Sequence, residues 1–201
     1  MWYFGMLVHS VHSVIQTWTY PHSWMTRIYV GVNAFRAIFP VKVVERECLT
    51  MFSSPFIDRT LATLGELAFV QHLAASLGVP SPIVFYCMLA QVYCWLGTLT
   101  KDNMYHVTEE YLWFMIGASY YYYSPIPSAR AIALLYCMYM LTVDIPAYFF
   151  RESHPVKWQV GALDLHDCTI VSESTWGYEK LWMTGYFVGA SRISMYLDGI
   201  Y

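Results

Sequence analysis

Long apolar runs, parted by short clusters of proline, glycine and serine, fill most of the chain from residue 55 onward. A helix needs about 20 apolar residues to cross roughly 30 Å of hydrocarbon. On that measure the pattern predicts transmembrane helices at about 55–77, 82–100, 102–123, 128–150 and 176–196. Ser53 and Ser54 are suited to cap the first of these, and Pro55 suits its first turn. Gly78, Pro80 and Pro82 punctuate the break before the second, and Ser124-Pro125-Ile126-Pro127 the break before the fourth.

A sixth candidate helix occupies 2–20. Its polar residues His9, His12, Ser13, Gln16 and Tyr20 recur every three or four positions and so share one face. Such a helix either spans with that face inward or lies in the interface plane. Residues 21–54 and 151–175 read as polar connections, and no internal repeat interrupts this plan. The expected fold is all-α: one polytopic integral membrane domain, 1–201, with five or six transmembrane helices.

Composition agrees with this pattern. The 201 residues are 57% apolar and 12% charged, and 18 tyrosines and 8 tryptophans supply interfacial aromatics. A soluble domain usually carries about 25% charged residues. The net charge of -3 and the lack of a basic run exclude nucleic acid as a partner. Membrane lipids and other membrane subunits are the expected partners.

Five cysteines, Cys48, Cys87, Cys94, Cys137 and Cys168, form no CxxC pair, and three fall in apolar segments. The odd count argues for reduced packing cysteines over a disulfide framework or a zinc site. The first basic residue is Arg27. Neither a basic secretory leader nor an arginine-rich presequence is visible, so targeting is expected from the membrane segments themselves.

Basic residues orient the bundle. Alternating helices place Arg27, Arg36, Lys42, Arg46, Arg59, Lys101, Arg151, Lys157 and Lys180 on the side that holds 21–54, here side X. Arg130 and Arg192 fall near the opposite side. The positive-inside rule then makes X the cytoplasmic or matrix side.

Ionisable residues converge on the X leaflet: Asp58, Arg59 and Glu66 in the first helix, and His106, Glu109 and Glu110 in the third. Asp144 in the fourth and Glu179 in the fifth join them. Glu66 is the deepest, and a lone carboxylate at such depth costs about 3 kcal/mol, so a partner is expected. Arg59, seven residues earlier on the same face, is the nearest. Pro146 frees the Thr142 carbonyl two residues after Asp144 and predicts a kink there.

Four uses of these groups are open. His106 and Glu109 make one HxxE pair, but a carboxylate-bridged di-iron site needs two ExxH pairs and two further glutamates, so no metal is expected. Acid–base catalysis would use Glu66, Glu110 and Asp144 as carboxylates and His106 as a proton shuttle. A proton path would use the same row, but its other half offers chiefly His72 and Gln71. The remaining use is packing: a buried ion-pair network of Arg59, Glu66, His106, Glu109, Glu110, Asp144 and Glu179 that glues helices together.

Smaller features point the same way. Cys87, Gln91, Cys94 and Thr98 follow helical spacing and form a packing seam. His9 and His12 offer haem or metal ligands in principle, though a polar helix face explains them. Gly185 and Gly189 form a GxxxG, and Arg192 is placed to snorkel to headgroups. No phosphate loop, GxSxG, HExxH or nucleotide fingerprint occurs. The sequence therefore predicts a non-catalytic accessory subunit of a larger membrane complex, without a cofactor. Its expected site is an energy-converting assembly of the mitochondrial inner membrane. The alternative is a membrane-embedded acid/base enzyme that binds a lipid or isoprenoid.

Overall fold

A computed structural model describes residues 1–77, 82–177 and 179–199. Gly78 and Pro80 lie outside the described residues. The protein is 76% helical, which agrees with an all-α class. Two compact units divide it: 1–69 with 165–201, and 70–164.

The first unit holds α1 (Trp2–Thr19) and α2 (Trp24–Ile38). Ser23 caps α2 by accepting a hydrogen bond from the Thr26 amide at 3.2 Å. Strands β1 (Val41–Lys42) and β2 (Glu47–Cys48) follow as a short antiparallel pair. The first fifteen residues of α3 (Pro55–Leu77) also belong to this unit. Its C-terminal part adds β3 (Thr169–Ile170), parallel to β2. A helix then starts as α9 (Glu179–Met183), widens to a π-helix over Thr184–Ala190 and ends as α10 (Ser191–Asp198).

The second unit holds the end of α3 with α4 (Ile83–Thr100), α5 (Asn103–Tyr123) and α6 (Pro127–Tyr139). Asp102 caps α5 through the Met104 amide at 2.9 Å. A π-helical stretch, Met140–Asp144, joins α6 to α7 (Ile145–Phe149), and α8 (Trp158–Leu163) closes the unit. The π stretch ends immediately before Ile145-Pro146. Widening the turn adjusts the hydrogen-bond ladder that proline interrupts.

Among the described residues two helical stretches, Ile83–Thr100 and Pro127–Phe149, are long and apolar enough to cross a membrane. Only 39% and 28% of those windows are buried within the protein, unlike the core helices of soluble domains. α3 and α5 have sufficient length at 23 and 21 residues. Asp58, Arg59 and Glu66 on α3, and His106, Glu109 and Glu110 on α5, reduce their apolar character.

The connection 21–54 is not merely polar, because α2 lies within it. Asn33 and Arg36 interrupt the apolar pattern of this helix, yet both are buried. The cysteine expectation also needs correction: Cys48 and Cys168 form a disulfide, with Cα atoms 5.8 Å apart. Pairing of β2 with β3 brings together residues 120 positions apart, a proximity that the odd count could not reveal. Cys87, Cys94 and Cys137 are buried thiols.

Candidate functional site

The ionisable residues lie in two networks, one in each compact unit. In the first, Arg36 on α2 grips Asp58 on α3 with both ends of its fork, Nε to Oδ1 at 2.9 Å and Nη2 to Oδ2 at 3.2 Å. The same guanidinium sits over the rings of Tyr186 and Phe187, at 5.4 and 5.0 Å. Burial works against charge on Arg36, but the Asp58 carboxylate outweighs it and raises the arginine above its ordinary range.

Six residues beyond Arg59, Gly65 lets α2 approach α3, and Val32 fills the space a side chain would need. Arg59 then donates from Nη2 to Glu66 Oε1 at 3.0 Å, and the Tyr186 hydroxyl donates to the same oxygen at 2.7 Å. Tyr186 is held by Trp182, stacked at 5.6 Å, and by the edge of Tyr29 at 6.4 Å. Burial raises the Tyr29 phenol above its usual range, so it stays a neutral packing group against Phe69. Glu179 is half-buried in the first turn of α9, where a carboxylate suits the helix dipole.

α1 completes this unit with an inverted polarity. It buries Ser10, Ser13 and Thr17 along with Met6, and exposes Phe4, Val8, Val11, Ile15 and Trp18 along with His9 and His12. Opposite it, Asn33 donates to Ser191 at 3.1 Å, and Ser194 reaches Thr26 at 3.5 Å. Arg192 hydrogen-bonds Gln16, and its Nη2 meets His12 Nδ1 at 2.7 Å. The polar face of α1 thus serves a neighbouring helix. His9 is exposed. Gly185 and Gly189 fall in the π-helix, whose wider turn breaks the α-helical register that GxxxG packing requires.

In the second unit, His106 Nδ1 and Glu109 Oε2 are 2.8 Å apart, one turn apart on α5. Tyr148 of α7 stacks on the imidazole at 5.1 Å. Across from it, α4 turns Cys87, Ala90, Gln91, Cys94, Gly97 and Thr98 inward. Gly97 is a necessity there, since a Cβ would lie 2.7 Å from His106 Nε2. Glu110 and Asp144 are buried in this unit too, as is His72.

At the X end of α5, Asn103 ties the following segment down. Its side chain donates to the Arg151 and Glu152 carbonyls, and its amide donates to Ser153. Lys101 pairs with Asp164. Gly161 of α8 lies directly on the Leu99 carbonyl, leaving no room for a side chain.

The structure therefore brings Arg59 to Glu66 and His106 to Glu109, with Glu110 and Asp144 buried in the same unit as the latter pair. The sequence pattern does not reveal Arg36 as a partner of Asp58, because 21–54 reads as a polar connection, nor Tyr186 as a partner of Glu66, because helix spacing does not say which helices are neighbours. It also missed Cys94, whose thiol lies beside His106 and Glu109. The signal for Cys94 was its place on the small-sided seam of α4, which faces α5. No protein-family model, curated protein or solved structure matches the chain.

Proposed function

We propose that this chain is a polytopic integral membrane bundle of five or six spans and a non-catalytic accessory subunit of a larger membrane complex. The observation that carries the membrane part is the inverted polarity of α1, with serines and threonine inside and large apolar side chains outside. Water would penalise that arrangement, whereas lipid favours it, because small polar residues between helices provide the packing contacts. The outward faces of α4 (Phe85, Met88, Val92) and α6 (Leu135, Met138) extend the same apolar exterior.

The non-catalytic part rests on the state of the acids. Asp58 and Glu66 are clamped by buried arginines, and Glu66 also accepts from Tyr186. A general base must be able to take a proton, and removing either acid from its arginine would leave an uncompensated buried charge. Fixed ion pairs of this kind hold α2, α3 and the 179–198 helix in register.

The disulfide bears on sidedness. Cys48 and Cys168 join the two connections assigned to side X, and disulfides persist in oxidising compartments. That favours a lumenal, periplasmic or extracellular X face over a mitochondrial matrix. The basic residues that argued otherwise include Arg36 and Arg59, buried in ion pairs, and Lys42, Lys101 and Lys180, each paired with a carboxylate.

The test is the native mass after mild detergent extraction, with mass spectrometry of comigrating chains. Migration in a stoichiometric complex is the expected result, with Glu66→Gln lowering assembly and stability by about 1–3 kcal/mol. Migration as a monomer that turns over a lipid, lost in a folded Glu66→Gln protein, would overturn the reading in favour of the lipid enzyme.

A further inference from the structure

We propose that Cys94, His106 and Glu109 form a zinc site between α4 and α5. Their ligand atoms all lie within 4.8 Å of one another, and the residues are 0%, 3% and 4% exposed. Zinc bonds of 2.0–2.3 Å put tetrahedral ligands about 3.5 Å apart, so an ion on His106 Nε2 draws the Glu109 carboxylate away from Nδ1, where it now lies at 2.8 Å. The HxxE pair alone offers two ligands. The third comes from the neighbouring helix, and this supplies the ligand number that the sequence did not.

One buried atom at the site favours a cation. His106 Nε2 is buried and has no hydrogen-bond partner among the described residues. Such an orphan is costly, and a native structure normally gives it a partner.

Charge selects the ion. A divalent cation bound by one thiolate, one carboxylate and a neutral imidazole has no net charge, the form that costs least to bury. Thiolate with imidazole suits zinc, while magnesium and calcium prefer all-oxygen sites. Three protein ligands leave a fourth position for water or a partner's donor. Gly97 fits the same design, since it lets the His106 ring press against α4 beside Cys94.

The test uses the full chain, purified in mild detergent without chelator, with zinc counted by elemental mass spectrometry. After chelator dialysis, zinc alone is titrated back, and cobalt replaces it for absorption spectroscopy. We expect about one zinc per chain and a thiolate-to-cobalt charge-transfer band. Cys94→Ala removes the band and weakens zinc more than about 100-fold. Glu109→Gln weakens zinc and keeps the band, whereas Cys87→Ala changes neither. Near-ultraviolet circular dichroism restricts the comparison to folded variants. The proposal is overturned if the folded chain takes up no zinc, or if folded Cys94→Ala binds it as tightly as the unaltered protein.

Discussion

Asp58 and Glu66 each face a buried arginine in the unit built from 1–69 and 165–201, whereas in 70–164 the buried Glu109 faces a histidine, His106. The first unit also carries the small sheet and the disulfide. The second relies on close backbone approach: Gly97 under the His106 ring, Gly117 under Tyr136 and Cys137, and Gly161 on the Leu99 carbonyl. A polar interior between helices can thus be stabilised in two ways. One pairs charges across helices and clads them in aromatic rings, and the other brings backbones together around acids and a histidine.

The sharpest way to break this contrast is to remove a charge from the first unit. Arg36→Met orphans Asp58 and should cost about 3–5 kcal/mol, read as loss of thermal stability in detergent. The double change Arg36→Met with Asp58→Leu should recover most of it, since an apolar pair of similar volume is often neutral. No recovery would mean that the salt bridge does more than satisfy itself.

Next in size is the covalent link. Replacing both Cys48 and Cys168 with serine should cost about 2–5 kcal/mol. Thiol counting in denaturant should find three reactive groups before reduction and five after it, given five cysteines with one pair joined. Five before reduction would remove the disulfide and, with it, the argument for an oxidising X face.

The second unit should be most sensitive to small additions. Gly161→Ala forces α8 away from the Leu99 carbonyl and should cost about 1–3 kcal/mol by overpacking. Gly5→Ala, with open space around it on α1, should change little and serves as the control. Of similar size is Tyr186→Phe, which removes one hydrogen bond to the charged Glu66 and should cost about 1.5–3 kcal/mol. A larger loss would show that the stack of Trp182 on Tyr186 depends on the hydroxyl.

Helical class was legible because the apolar runs end at strong punctuation: Pro55, Asp102 and Pro127 stand within a residue of the starts of α3, α5 and α6. α2 was not legible, because its polar residues Asn33 and Arg36 make a buried helix resemble a connection. The pair Arg59–Glu66 could be foreseen from spacing within one helix. Arg36–Asp58, Cys48–Cys168 and the approach of Cys94 to His106 all require knowing which helices or strands are neighbours. Local periodicity carries no such information, and with no internal repeat nothing in the sequence supplied it.

The bond between Cys48 and Cys168 also alters the connectivity of the molecule. It makes a closed ring of residues 48–168, and the whole of 70–164 lies within that ring. A peptide bond cut anywhere in 70–164 would leave a single covalent molecule, with both segments of the first unit still joined. New termini could therefore be opened at the loops of 70–164 without parting the chain. Reduction is what would turn such a nick into two separate polypeptides.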